Sequence, residues 1–390
     1  MSLENSPDLG QSRIAVLDGL RAMAITLVLA CHTITPFWTD PSRPFLPEPF
    51  SPFGIFLLNG WCGVDLFFVL SGFLITRQIL AGDTVRHFYK KRFMRIAPMY
   101  YIVLTLVCLR LFPTYPVYDA AHVWGWRYIY HLFFLQDFLW CDILPVFWTL
   151  AIEFHFYIIA PFLIAGLLRL GTRKRFAALA LAALVSVAVK AYVAFYWFPH
   201  GVSPPVYLWK IRMLFPLQLD GFIAGITVAF LWKDRESRSY IERVAVANGL
   251  FWSGLGLLAA VTAFSVRFRY GVSNFDIILI NPLLALAFGS MTLGLLGGSR
   301  GHRVFMARSL RFIALISYSL YLIHQPLLAV LLRSAFALAS TGHAALAWLV
   351  SLIPYLFLNI VVASMTYFFI EKPCIDWSRK RKPLASPVSG

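Results

Sequence analysis

Chemistry in this chain has to come from a few ionisable side chains, and their spacing is specific. Asp18 and Arg21 stand at i, i+3, so they can pair on one helix face. His32 follows Arg21 by eleven residues. That is close to three helical turns, so the two share a stripe and lie about 16 Å apart along the axis. A guanidinium at one level and an imidazole at another suit a reaction whose two substrates arrive from opposite sides of a membrane. The plainer reading is a snorkelling Arg and a satisfied core His. Asp65 sits deep in the run Gly63 to Phe73; it can serve as a catalytic carboxylate, pair with Arg21 or another span, or do both. Arg92 and Arg95, again at i, i+3, put two guanidinium forks on one face. Such forks bind phosphate bidentately, although a basic membrane anchor or an anionic-lipid contact has the same look. Glu153 lies roughly two turns into its apolar run, at a level comparable with His32, and a carboxylate and an imidazole at one depth make a plausible acid/base pair. Arg212, Asp220 and His324, each taken alone, read as structural polar contacts.

These side chains need a scaffold, and the composition names it. Hydrophobic types make up 59% of the 390 residues and charged types 13%, against roughly 45–50% and 25% in ordinary soluble domains. This excludes a typical soluble enzyme, a disordered chain and a disulfide-stapled secreted domain. The expected fold is all-α and polytopic, with about ten spans over roughly 14–36, 55–79, 97–113, 146–168, 176–198, 208–232, 248–266, 276–297, 311–333 and 345–370. The third is short. The stretch 128–140 reads as an interfacial or re-entrant helix, flanked by Trp124, Trp126 and Trp140, which suit the headgroup level. With the N-terminus inside, 24 of the 34 Lys and Arg fall in inner segments. Both termini are therefore expected to be cytoplasmic, and the net charge of +16 reflects topology, with no nucleic-acid partner implied.

The remaining features are bland. Five cysteines, Cys31, Cys62, Cys108, Cys141 and Cys374, form no CxxC pair and no metal spacing. Asp18 and Arg21 interrupt the first apolar run, which argues against a cleavable signal peptide and against reading Val28 to Cys31 as a lipoprotein box. No internal repeat is visible. Three segments are expected: a cytoplasmic start over 1–13, a membrane domain over 14–373, and a basic, disordered tail over 374–390.

Together these segments resemble the acyltransferase 3 family of integral-membrane acyltransferases, over about residues 14–373 and in the family's order. The carriers are Leu17-Asp18-Gly19-Leu20-Arg21 through His32; Gly63 to Phe73; Arg92 to Pro98; Trp148 to Tyr157; Ser317 to Pro326; and Ile370 to Pro373. Thr149 stands where the family usually has Ser, and His155 where it often has an acidic or other polar residue.

The resemblance implies transfer of an acyl group, chiefly acetyl, from cytoplasmic acyl-CoA to a hydroxyl of an extracytoplasmic carbohydrate, with no bound cofactor or metal. It implies His32, Glu153 and Asp65 as catalytic, with Glu153 or Asp65 orienting His32. Arg21, Asp18, Arg92, Arg95 and His324 fall on the substrate-binding side. The axial gap of about 16 Å between Arg21 and His32 is comparable with a pantetheine arm. Some relatives carry an added hydrolase-like domain; without one, acceptor choice is expected from the loops 37–54 and 113–145 or from polysaccharide synthesis or export proteins. Two other functions fit ten helices with buried charges: a polysaccharide or lipid exporter, and a structural subunit of a synthase complex. The exporter lacks the paired broken helices that transporters tend to show.

Overall fold

The computed structural model describes residues 14–39, 54, 57–112, 125–139, 143–201, 203, 207, 211–265, 272–339 and 344–379. Their regular structure is helical, as an apolar chain with no water to satisfy its backbone requires. The helices are α1 (Ala15–Thr39), α2 (Gly63–Leu80, entered through a 3-10 turn at Asn59–Cys62), α3 (Val85–Cys108), α4 (Trp126–Leu132), α5 (Phe147–Leu168), α6 (Thr172–Tyr192), α7 (Leu219–Lys233), α8 (Arg235–Ile241), α9 (Val244–Phe264), α10 (Asn274–Leu296), α11 (His302–Phe305), α12 (Arg308–Ala339), α13 (Ala344–Thr366) and α14 (Lys372–Arg379).

Among the described residues, eight helical stretches are long and apolar enough to cross a membrane: those built on α1, α2, α5, α6, α9, α10 and α12, and the run from α13 into α14. Two of the ten expected spans take other forms. The third is the apolar half of α3, a longer helix that begins at Val85. Its first turns carry Arg86, Lys90, Lys91, Arg92 and Arg95, and the Thr84 hydroxyl accepts from the His87 N–H at its start. The sixth is broken. Among its described residues the one α-helix is α7, with 15 residues, which is about 22 Å of helix against a hydrocarbon core of ~30 Å. It is entered through a 3-10 turn at Phe215–Leu217 that holds Pro216, and the broken stretch before it places Arg212 inside the bundle. The interfacial segment appears as α4 followed by turns to Leu139, with Trp126 strongly exposed. Trp124, Trp140 and Cys141 lie outside the described residues, as do 40–53 of the loop 37–54 and 113–124 and 140–142 of the loop 113–145. The chain stays helical to Arg379, into the segment expected to be a disordered tail; residues 380–390 are not described.

The core lies where α1, α2, α3, α5, α12 and α13 meet. A second core joins α1 and α2 to α7, α9 and α10. Of the apolar stretches, the one on α12 is 78% buried and the one on α6 only 17%, so α12 is central and α6 peripheral. The α2–α7 crossing depends on small residues. A Cβ at Gly72 would stand 2.5 Å from the Phe222 carbonyl oxygen and 3.1 Å from the Gly225 Cα. Close backbone approach of this kind is what glycine provides between membrane helices.

Gly72→Val should therefore push α2 and α7 apart and cost about 1–3 kcal/mol, lowering the thermal midpoint in detergent. Gly166→Ala, where a Cβ meets nothing within 4 Å, should leave it unchanged or slightly higher.

Candidate active site

A cavity of about 620 Å³ opens at one end of the bundle, around the turn from α2 to α3. Arg21, Arg77, Lys91, Arg92, Arg95, Lys372 and Arg379 line it, against the carboxylates of Asp18, Asp83, Glu371 and Asp376. The carboxylates are engaged. Asp18 faces Arg21 at 3.6 Å and Asp376 pairs with Lys372 at 2.6 Å. Asp83 accepts from Lys91 at 2.8 Å and from Gln78 at 2.7 Å, and Glu371 accepts from the Ser319 hydroxyl. Burial pushes the Asp83 carboxyl up, but these two hydrogen bonds and the Lys91 charge hold it below the ordinary carboxylate range. The cavity therefore keeps an excess of positive charge. Arg92 is wedged between the rings of Phe88 and Tyr157, at 5.8 and 5.5 Å, and donates to the Gln78 side-chain oxygen. Its Nε is buried with no hydrogen-bond partner among the described residues.

The cavity narrows inward. A chamber of about 80 Å³ shares Arg21, Leu74, Arg92, Arg95, Ser317 and Tyr318 with it. Val64, Phe67, Phe68, Leu70 and Leu150 give the chamber apolar walls. Glu153 supplies its polar side, accepting from Ser71 and Tyr157, each at 2.6 Å. Tyr321 also lines the chamber. Its ring meets Phe67 edge-on at 6.2 Å, and its hydroxyl lies 2.7 Å from that of Thr149. Beyond Tyr321, at 5.7 Å between ring centres, is His324. The His324 Nε2 lies 2.8 Å from Nδ1 of His32. The order is thus a basic vestibule, a narrow apolar passage, two hydroxyls, and two imidazoles.

Several sequence expectations meet a different geometry. His32 is partnered by His324, and no hydrogen bond among the described residues joins it to Glu153 or Asp65. Similar expected levels along two helices do not set their facing: α1 packs along α12 and α2, while α5 packs against α2 and α3. Asp65 is held at 2.6 Å by Arg212, from another of the expected spans, which is the second of the two pairings the sequence allowed. His324, expected on the substrate-binding side, is fully buried and directed at His32. Asp18, Arg21, Arg92 and Arg95 do gather, at the vestibule. His155, which departs from the family pattern, is paired with Asp137 at 3.0 Å. Burial pushes that carboxyl up, and the His155 hydrogen bond pulls it part of the way back.

Sequence reasoning passed over Arg77, Glu371, Ser71, Tyr157 and Tyr321. Hydroxyls inside apolar runs were the available signal, and all but Arg77 and Glu371 carry one. It also passed over Lys190, a lone cation in an apolar stretch. Lys190 pairs with Asp220, which accepts from Ser186 at 3.1 Å. Beside this pair, Arg212 donates to Asn281 at 3.2 Å and lies over the Trp61 ring at 4.5 Å. The Asp65–Arg212 pair thus belongs to a buried, charge-balanced network. Among the described residues, no three His, Cys, Asp or Glu side chains gather as a metal site.

Arg212→Met should destabilise the protein by about 3–5 kcal/mol, because Asp65 is left buried and uncompensated. Asp65→Leu combined with Arg212→Met should recover most of that loss. Thermal unfolding in detergent checks both.

The family model of the acyltransferase domain, Acyl_transf_3, matches residues 14–370. Among named relatives, the peptidoglycan O-acetyltransferase OatA of Listeria monocytogenes is 24% identical over 80% of this chain and 49% of its own length. Nodulation protein 10 of Rhizobium leguminosarum bv. viciae is 25% identical over 70% and 84%. The O-acetyltransferase OatA of Staphylococcus aureus is 26% identical over 92% and 56%. The chain thus spans about half the length of the two OatA proteins. No solved structure matches the chain significantly. With apolar helices long enough to cross a bilayer, an ordered row of cations, hydroxyls and imidazoles, and a family match over nearly its whole length, this multi-pass membrane protein belongs to the acyltransferase 3 family.

Proposed function

We propose that the protein is a membrane O-acyltransferase. It takes an acyl group, acetyl in the first instance, from acyl-CoA at the basic end and passes it to a hydroxyl of an exported or cell-surface carbohydrate. The observation that carries this reading is the continuity of the basic vestibule with a narrow passage that leads towards His32. A CoA thioester has the matching shape: a phosphate-rich head and a thin arm with the acyl group at its tip. The vestibule cations suit the phosphates, and a chamber of about 80 Å³ suits a thin arm better than a bulky head. The basic end is the cytoplasmic side by the positive-inside rule, which sets the protein in the cell membrane with both termini inside. The names of the OatA relatives support acetyl as the acyl group and a cell-envelope glycan, peptidoglycan among them, as the acceptor class. Proteins that synthesise or export that glycan are the natural partners.

The chemistry follows from the order of groups. An imidazole nitrogen of His32 removes the proton from the acceptor hydroxyl, whose oxygen attacks the thioester carbon. The C–S bond breaks and the CoA sulfur recovers the proton from the imidazole. An acyl-imidazole formed first would use the same nitrogen as nucleophile. Glu153, engaged by Ser71 and Tyr157, belongs to the donor passage, where its charge opposes those of Arg92 and Arg95. Asp65 acts through the frame that holds α2.

Membranes holding the protein should transfer label from acyl-labelled acetyl-CoA to cell-envelope glycan and release CoA thiol. Arg92→Ala and Arg95→Ala should each raise the KM for acyl-CoA about tenfold or more, the worth of one charge-assisted hydrogen bond, with kcat little changed. His32→Ala should cut kcat by about 10²–10⁴. Normal turnover by His32→Ala would exclude it as the base.

A further inference from the structure

The contacts of His324 are directional. Its Nδ1 lies 2.7 Å from the Tyr321 carbonyl oxygen and 3.2 Å from that of Leu320. A carbonyl oxygen only accepts, so Nδ1 carries the hydrogen. In a neutral imidazole the other nitrogen is then a bare acceptor. That nitrogen, Nε2, is the one 2.8 Å from Nδ1 of His32. His32 must therefore donate through Nδ1, which leaves its own lone pair on Nε2. The pair is well held. The rings lie 5.0 Å apart at 24°, the Tyr355 hydroxyl donates to the His324 carbonyl at 2.9 Å, and the Trp348 indole donates to the Thr33 carbonyl beside His32 at 3.2 Å.

We infer that His324 is a positioning residue: a backbone carbonyl of α12 sets its tautomer, and it in turn sets the tautomer of His32, so that Nε2 of His32 is the base or nucleophile. The inference rests on the acyl-transfer reading and deepens it. When Nε2 of His32 takes the proton of the acceptor hydroxyl, its Nδ1–H keeps donating to His324, and the extra charge is shared along one hydrogen-bonded row. The proton returns from the same Nε2 to the departing CoA sulfur, so His324 neither gains nor loses a proton over the cycle. The arrangement does the work that a carboxylate does for the imidazole of a Ser-His-Asp triad, with a neutral acceptor that is cheaper to bury in a bundle interior.

The test compares His324→Leu, which removes the acceptor, with His324→Gln, whose side-chain oxygen can still accept from His32 Nδ1. Acetyl transfer from labelled acetyl-CoA is read in membranes, with monodispersity in detergent as the folding control. His324→Leu should lower kcat by a factor on the order of 10² or more, as when a triad imidazole loses the group that sets its tautomer, with the KM for acetyl-CoA unchanged. His324→Gln should recover at least tenfold of that loss. In a His32→Ala background, His324→Leu should cost nothing further. Should His324→Leu fail to fold, His324→Gln decides: activity within about tenfold of wild type supports the relay, and a loss equal to that of His32→Ala overturns it. A loss that falls on KM, a Gln variant no better than Leu, or additive losses would overturn the relay while leaving the enzyme reading intact. Wild-type protein that transfers no acyl group from any acyl-CoA would overturn both.

Discussion

An ionisable or polar group inside a hydrocarbon layer must find its partner within the protein, because there is no water to solvate it. In this bundle that requirement decides which helices meet. Asp65 of α2 reaches Arg212 at the break before α7. Lys190 brings the otherwise exposed α6 onto Asp220 of α7. Glu153 ties α5 to α2 through Ser71. His32 ties α1 to α12 through His324. Apolar packing alone has little preference between lipid tails and neighbouring helices. These polar links choose one arrangement among many that would pack equally well.

The same economy shapes the passage. At the vestibule the cations exceed the carboxylates, so the cavity can take up an anionic headgroup without first losing a strong internal pair. Further in, Arg21, Arg92 and Arg95 face Glu153 across the chamber, and most of the other walls become aromatic and aliphatic. The imidazoles come last, past the Tyr321 and Thr149 hydroxyls. A wide, charged entrance followed by a narrow apolar passage binds a donor by its head and delivers its tip.

Much of this was legible in the chain. Composition and periodicity identified a helical membrane protein, and eight apolar stretches lie where expected. Asp18, Arg21, Arg92 and Arg95 gather because each pair is local: i, i+3 spacing is a property of one helix, and the basic turn follows α2 directly. The two spans that differ were read from hydropathy averages. Such averages do not register that Pro216 breaks one stretch or that the basic half of α3 is continuous with its apolar half.

The sequence by itself determined how deep each functional side chain lies and which neighbours it has on its own helix, because rise and twist per residue are fixed by backbone geometry. It left the facing of the helices open. Glu153 and His32 were expected at comparable levels, yet Glu153 is engaged by Ser71 and Tyr157 and His32 by His324, since position along a helix says nothing of the rotation of α5 relative to α1. The partnership of His32 with His324 spans 292 residues, and that of Asp65 with Arg212 spans 147. Each depends on two helices being turned towards each other. That rotation is set jointly by glycine crossings, side-chain volumes and every other buried polar link, so only the tertiary structure could decide it.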